Sequence, residues 1–231
     1  MDFLAGEIIP IYKPYTWTSF QIVNKIRYHL SRKYGVKRFK VGHAGTLDPL
    51  ATGVLIICTG KATKQIEQLQ AGVKEYIATL KLGATTPSFD LEKEIDATYP
   101  TAHITRELVE TALQKFVGEI MQVPPVFSAV KVDGKRAYDL ARKGKDVELK
   151  AKPLRIDEIE LMDCNLDTME IVIRVVCSKG TYIRALARDI GEALQSGAHL
   201  TALRRTRVGD YTIDKCFKTI EDFENFLQDK N

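Results

Sequence analysis

Apolar residues Ile22, Val23, Ile26 and Leu30 recur at helical spacing, with Thr18 or Ser19 ahead as a cap and Gly35 behind as a stop. A Gly-, Thr- and Pro-rich stretch over 42–53 breaks that rhythm. The unbroken apolar run Val54-Leu-Ile-Ile-Cys58 then predicts a buried strand, and 61–70 resemble a short helix. Over 74–82 the pattern alternates, with Tyr76, Ala78, Leu80 and Leu82 on one face, so a strand is predicted there. Leu108, Val109, Ala112, Leu113 and Phe116 predict a helix over 105–117. Pro124-Pro125 interrupts the chain, a strand-like run over 127–132 leads to the turn signal Asp133-Gly134, and 136–143 reads as a helix ended by Gly144. Strands over 154–163 and 169–177 flank a short Asn-Leu-Asp connection. A helix over 181–194 is closed by Gly197, and the capping box Thr219 to Asp222 opens a last helix carrying Phe223, Phe226 and Leu227. Mixed elements joined by short turns predict an α+β fold, a mainly antiparallel mixed sheet flanked by helices. No repeat, linker or low-complexity stretch divides the 231 residues, so one continuous domain over 1–231 is expected.

Composition narrows the class. At 45% hydrophobic and 28% charged residues, a chain of this length buries a core without staples. No run of 18 apolar residues occurs, which argues against a spanning helix, and the first residues lack a basic and apolar leader pattern. Cys58, Cys164, Cys177 and Cys216 are widely spaced and only four histidines accompany them. That pattern argues against a zinc site or a disulfide framework, so no metal and a cytoplasmic location are expected.

The net charge of +4 is modest, but its distribution is not. From Ile8 to Leu47 there is no acid, against eight bases: Lys13, Lys25, Arg27, Arg32, Lys33, Lys37, Arg38 and Lys40. Further basic clusters include Arg136 and Arg142, and then Lys179, Arg184, Arg188, Arg204, Arg205 and Arg207. Fixed cations gain by releasing the counterions condensed on a nucleic acid, so a polyanionic partner is one reading and a solvated basic face the other.

Gly42-His-Ala-Gly-Thr-Leu-Asp-Pro-Leu-Ala-Thr-Gly53 sets one acid among three glycines, between the basic segment and the buried strand. Glycines let a backbone approach a ligand closely, and Pro49 biases Asp48 toward an extended conformation. Asp48 then suits a nucleophile or base, although Asp-Pro also opens ordinary turns.

That stretch, continued through Val54-Leu55, resembles the signature of the TruB family of bacterial tRNA pseudouridine-55 synthases. Other segments agree in the family's order. They are Lys13-Pro14 with Thr18-Ser19; Lys74-Glu-Tyr76 with Leu82-Gly83, Thr85, Thr86 and Asp90; Gln122-Val-Pro-Pro125 through Arg142; Lys179-Gly-Thr-Tyr-Ile-Arg184; and Leu203-Arg204-Arg205 with Gly209. The resemblance implies the pseudouridine synthase fold and an isomerase that flips one uridine out of the tRNA T-arm. Such an enzyme breaks the N-glycosidic bond, rotates the uracil and rejoins it through C5, with no metal or organic cofactor.

It also implies roles. Asp48 acts on the ribose, by attack at C1′ or through a glycal formed at C2′. Tyr76 packs on the target base and takes part in proton transfer, and Arg184 pairs with Asp48 as a bidentate partner. By the residues alone, Tyr76 fits an inward strand residue equally well and Arg184 a phosphate contact. Tyr182 and Leu203 line the pocket, His43 fills the place of the flipped base, and Gly45, Thr46 and Leu47 form the pocket-side loop. Lys13 stands beside the pocket or supports the Pro14 turn. Arg27, Arg32, Lys33, Lys37, Arg136 and Arg142 track the RNA backbone, which positions RNA without reading sequence. The chain departs from the family at Thr16 and Phe127, where glycine and tyrosine are usual, and lacks the glycine after Asp90-Leu-Glu. A catalytic core without a complete C-terminal RNA-binding (PUA) domain, binding mainly the T-arm, is expected, and separately a monomer without an obligatory protein partner. A non-catalytic tRNA-binding protein or tRNA-folding chaperone would use the same basic stripe but has no need of Asp48, Tyr76 and Arg184 together.

Overall fold

The computed structural model describes residues 1–128, 131, 132, 135–137 and 149–229. The helix expected over 136–143 lies outside these residues apart from Ala137, as do the Arg136 side chain and all of Arg142. In chain order the first elements are β1 (Ile8–Lys13), α1 (Ser19–Tyr34), β2 (Val41–His43), β3 (Ala51–Thr59), a 3-10 turn (Gly60–Gln65), α2 (Ile66–Ala71) and β4 (Lys74–Leu82). There follow β5 (Ala84–Thr85), β6 (Ala97–Thr98), α3 (Arg106–Gln114), β7 (Gly118–Gln122), β8 (Lys131–Val132), β9 (Lys135–Arg136), β10 (Lys152–Asn165) and β11 (Glu170–Cys177). The last are α4 (Ile183–Ala193), β12 (Ala198–Val208), β13 (Tyr211–Thr212) and α5 (Ile220–Gln228). Strands and helices are mixed; β3 pairs antiparallel with β1 and β2, β10 with β11 and β7, and β12 with β13, while β3 and β12 pair parallel, so the α+β expectation holds.

The chain forms two compact units, Met1–Tyr76 with Leu203–Asn231, and Ile77–Ala202. It passes between them inside β4 and β12.

In the first unit α1 starts and stops where local chemistry says it should. Thr18 accepts from the Gln21 N–H while Gln21 reaches back to the Thr18 N–H, and Gly35 takes the left-handed conformation at φ 66°. The stripe Ile22, Val23, Ile26 and Leu30 is buried with Ile9, Ile11, Leu55 and Ile57 of the strands and Phe223 and Leu227 of α5. Each such side chain contributes about 1.5–3 kcal/mol by leaving water. β3 lies between β1 and β12, and its register puts Lys13 and Arg205 on either side of Gly53. Gly53 has φ 107°, and a Cβ there would lie 2.1 Å from the Arg205 carbonyl oxygen, so only glycine fits that row.

In the second unit β11 pairs with β10, and β10 pairs with β7 from Lys152↔Gln122 to Ile156↔Gly118. α3 packs on β10 and α4. α4 begins at Ile183 rather than 181. Its turn-off uses Gln195 at φ 50° rather than Gly197. Gly197 is instead a matter of room, since a Cβ there would come within 2.5 Å of the Tyr99 ring. Several strands go beyond the sequence expectation, among them β1 and the eleven-residue β12. Among the described residues of the run expected over 127–132, strand is formed at β8. Among the described residues, no helix is long and apolar enough to cross a membrane.

Candidate active site

The loop between β2 and β3 makes few ladder bonds of its own, so its backbone must find partners elsewhere. Five successive carbonyls, from residues 45 to 49, each have one. Arg205 Nη2 donates to the Gly45 oxygen at 3.1 Å and Nη1 to the Thr46 oxygen at 3.2 Å. Ser19 Oγ donates to the Leu47 oxygen at 3.0 Å and accepts the Leu47 N–H at 2.9 Å. The Ala51 N–H donates to the Asp48 oxygen at 3.1 Å, and the Thr16 N–H to the Pro49 oxygen at 2.9 Å. Lys13 Nζ adds a second bond to the Pro49 oxygen at 3.2 Å. Leu47 is buried beneath this net, Thr46 is exposed, and Asp48 is half-buried at its end.

Two buried cations flank the loop. Lys13 is 0% exposed, and its ammonium donates to the carbonyls of Pro14 (2.9 Å), Trp17 (2.6 Å) and Pro49. Burial pushes its pKa down to about 8, opposed by the nearby Asp48 carboxylate and reinforced by the Arg205 charge. Arg205, grouped in the sequence with bases facing a polyanion, is instead 2% exposed, and its Nε also donates to the Val54 oxygen at 2.8 Å. His43 is half-buried. Burial first, and then the Arg205 charge, lower its pKa against a Gly45 backbone hydrogen bond, so the ring is neutral near pH 7. Tyr76 is buried on the inward face of β4, and Leu203 is half-buried opposite Ala51.

Tyr182 and Arg184 belong to the second unit. Arg184 is buried; it donates to the carbonyls of Ser88 at 3.2 Å and Phe127 at 3.0 Å, and its Nε lies 3.7 Å from an Asp90 carboxylate oxygen. Tyr182 precedes α4, and the buried Gln122 amide grips its backbone twice, donating to the carbonyl at 3.2 Å and accepting the N–H at 2.9 Å.

The candidate residues of the first unit make up a set of one carboxylate on a held loop, a phenol and a neutral imidazole beside two buried cations. Comparison with known proteins specifies it. The model for the N-terminal domain of TruB family pseudouridylate synthases matches residues 31–183, and the model for the tRNA pseudouridylate synthase B C-terminal domain matches 184–231. This chain belongs to the TruB family. It is 74% identical to tRNA pseudouridine synthase B of Phocaeicola vulgatus, over 98% of this chain and 95% of that one. It is 46% identical to the protein of that name from Mycobacterium bovis, over 96% and 73%. Among solved structures, a Cbf5-Nop10-Gar1 complex matches with a TM-score of 0.73 at 28% identity; the alignment covers 99% of this chain and 57% of that one.

Within this TruB chain the basic residues of α1 and the segment after it divide. Arg32 and Lys37 are exposed, although the Arg32 guanidinium lies 5.7 Å from the Tyr28 ring centre. Arg27 donates to the Val41 oxygen at 3.0 Å and to Asn24 Oδ1 at 2.6 Å, and Lys33 to the Leu227 oxygen. Ser19, Asp90, Gln122 and Arg205 hold candidate residues without having been singled out as site residues in the sequence. The first three are polar residues inside motifs and almost wholly buried, but no spacing rule marks a polar residue as buried.

Proposed function

We propose that this chain converts uridine 55 in the T-arm of tRNA to pseudouridine, with Asp48 as the group that acts on the ribose. The observation that carries this reading is the Asp48 carboxylate at the end of a loop whose preceding carbonyls are tied to buried side chains, in a chain of the TruB family.

The base leaves its stack at a cost of a few kcal/mol, and the neutral His43 ring takes its place. Asp48 then attacks C1′ or takes the C2′ proton to give a glycal; in either case the N1–C1′ bond breaks and the uracil departs with its electron pair. After rotation C5 bonds to C1′; on the ester route the C1′–O bond breaks and frees the Asp48 carboxylate, on the glycal route Asp48 returns the proton to C2′, and in both N1 gains a proton while the C5 proton is lost. Tyr76 stacks on the base and relays that proton. Arg184 pairs with Asp48 and holds it ionised. Gly45, Thr46, Leu47, Tyr182 and Leu203 enclose the uracil, Lys13 supports the loop, and Arg32 and Lys37 meet phosphates. The chain works in the cytoplasm as a monomer, without cofactor or protein partner.

The test is site-resolved mass spectrometry of an unmodified tRNA transcript. Wild type produces pseudouridine at position 55. Asp48→Asn binds the RNA and leaves the position as uridine. Conversion by Asp48→Asn would end this reading.

A further inference from the structure

Asp48 sits at the end of a segment without secondary structure of its own. What holds residues 45–47 therefore bears on its direction, beside the bonds at the Asp48 and Pro49 carbonyls. Two side chains do this from opposite elements. From β12, Arg205 spreads three nitrogens over the carbonyls of Val54, Thr46 and Gly45, which ties the loop to the strand that follows it. From the first turn of α1, the Ser19 hydroxyl exchanges both hydrogen bonds with Leu47, the residue before Asp48. Both are almost wholly buried, Arg205 at 2% and Ser19 at 3% exposure, so neither is placed to meet RNA. Gly53 lets the Arg205 backbone lie against β3, since any Cβ there would strike the Arg205 carbonyl. This fixes the root of the guanidinium as firmly as its tip.

We propose that Arg205 and Ser19 are positioning residues that together aim the Asp48 carboxylate at the sugar, acting through the loop backbone and not through the RNA. The proposal rests on the reading of Asp48 as the group that acts on the ribose. A guanidinium is needed because its three donors sit on separate nitrogens, Nε to Val54 and Nη1 and Nη2 to Thr46 and Gly45, whereas a lysine ammonium gathers its donors at one point. A hydroxyl is needed at position 19 because it both donates and accepts. Losing either clamp leaves buried backbone groups unpaired and frees the loop to drift.

The experiment compares wild type, Ser19→Ala, Arg205→Lys and Asp48→Asn. Each is scored for folding by circular dichroism, for Kd on an unmodified tRNA transcript, and for single-turnover pseudouridine formation with enzyme in saturating excess. The proposal expects Ser19→Ala to lose about tenfold or more in rate and Arg205→Lys about 100-fold or more, because a displacement near 1 Å suffices for such losses. Both keep Kd within about threefold, since a positioning loss falls on the chemical step and not on uniform binding. A wild-type rate in either folded variant overturns the proposal, and so does a rate loss matched by weakened tRNA binding. Should Arg205→Lys fail to fold, Ser19→Ala decides alone by the same criteria. If Asp48→Asn is inert while both clamp variants run at the wild-type rate, the clamp falls and the function stands. If Asp48→Asn is active, the function falls and the clamp falls with it.

Discussion

Raising the pH through 8 titrates a group that is buried, triply bonded and close to Asp48. The Lys13 ammonium falls from an unfolded value of 10.5 to about 8 because burial disfavours its charge. Below pH 8 both folded and unfolded chains carry the proton, and the fold bears the full burial penalty. The difference of roughly 2.5 between the two values corresponds to about 3 kcal/mol. Between about pH 8 and 10.5 the unfolded chain binds more protons than the folded one, so the contribution of Lys13 makes stability rise with pH. Activity moves the other way. A neutral amine has two N–H donors for the three carbonyls of Pro14, Trp17 and Pro49, so one loses its partner. The Pro49 bond adjoins Asp48, and a lost bond of about 1.4 kcal/mol, if felt fully at the chemical step, is about tenfold in rate. The assay is single-turnover conversion from pH 6.5 to 9.5, with urea unfolding over the same range. The expected signature is a rate that declines above about pH 8 while Lys13 lends stability. In Lys13→Met that component of the stability rise disappears. A flat rate through pH 9.5 would refute the claim that the Lys13 charge supports the loop.

Other outcomes follow from the same geometry. Arg184→Lys replaces a fork that reaches the Ser88 and Phe127 carbonyls, with Asp90 beside it, by a single ammonium. Its single-turnover rate should fall about 100-fold with tRNA affinity changed far less, and equal losses in both would make Arg184 an RNA contact. Gly53→Ala places a Cβ 2.1 Å from the Arg205 oxygen at φ 107°, so it should destabilise by about 3 kcal/mol, roughly 6–12 °C in Tm. An unchanged Tm would show that the row can shift. Removing charge at exposed Arg32 and Lys37 should lower the slope of log affinity against log salt by roughly 1.5. An unchanged slope would place the RNA elsewhere.

Elements with local signals were legible in the sequence. α1 was readable from cap to cap because its capping box, apolar stripe and glycine stop are all written within it. β4 was readable to the residue because its alternation is strict. β1 escaped because it contains Pro10 and ends in a buried lysine. The proline is tolerated because the Pro10 carbonyl accepts from Phe217, so its nitrogen faces away from β3 and no bond to β3 is lost. β12 escaped because its middle reads as a basic cluster. Arg205 is inside only because three carbonyls from distant segments converge on it, a fact of tertiary structure that no periodicity carries. The candidate site divides in the same way. The Asp48 loop announced itself by its glycines and its solitary acid, whereas Ser19, Gln122 and Arg205, which hold the candidates, have no signature beyond being polar and out of the water.

The most direct measurement is the identity of the nucleoside at position 55 of an unmodified tRNA after incubation with wild type and with Asp48→Asn at matched RNA occupancy. Pseudouridine with the first and uridine with the second is the predicted result. Pseudouridine from both would contradict the assignment of the ribose chemistry to Asp48, and uridine from both would contradict the activity itself.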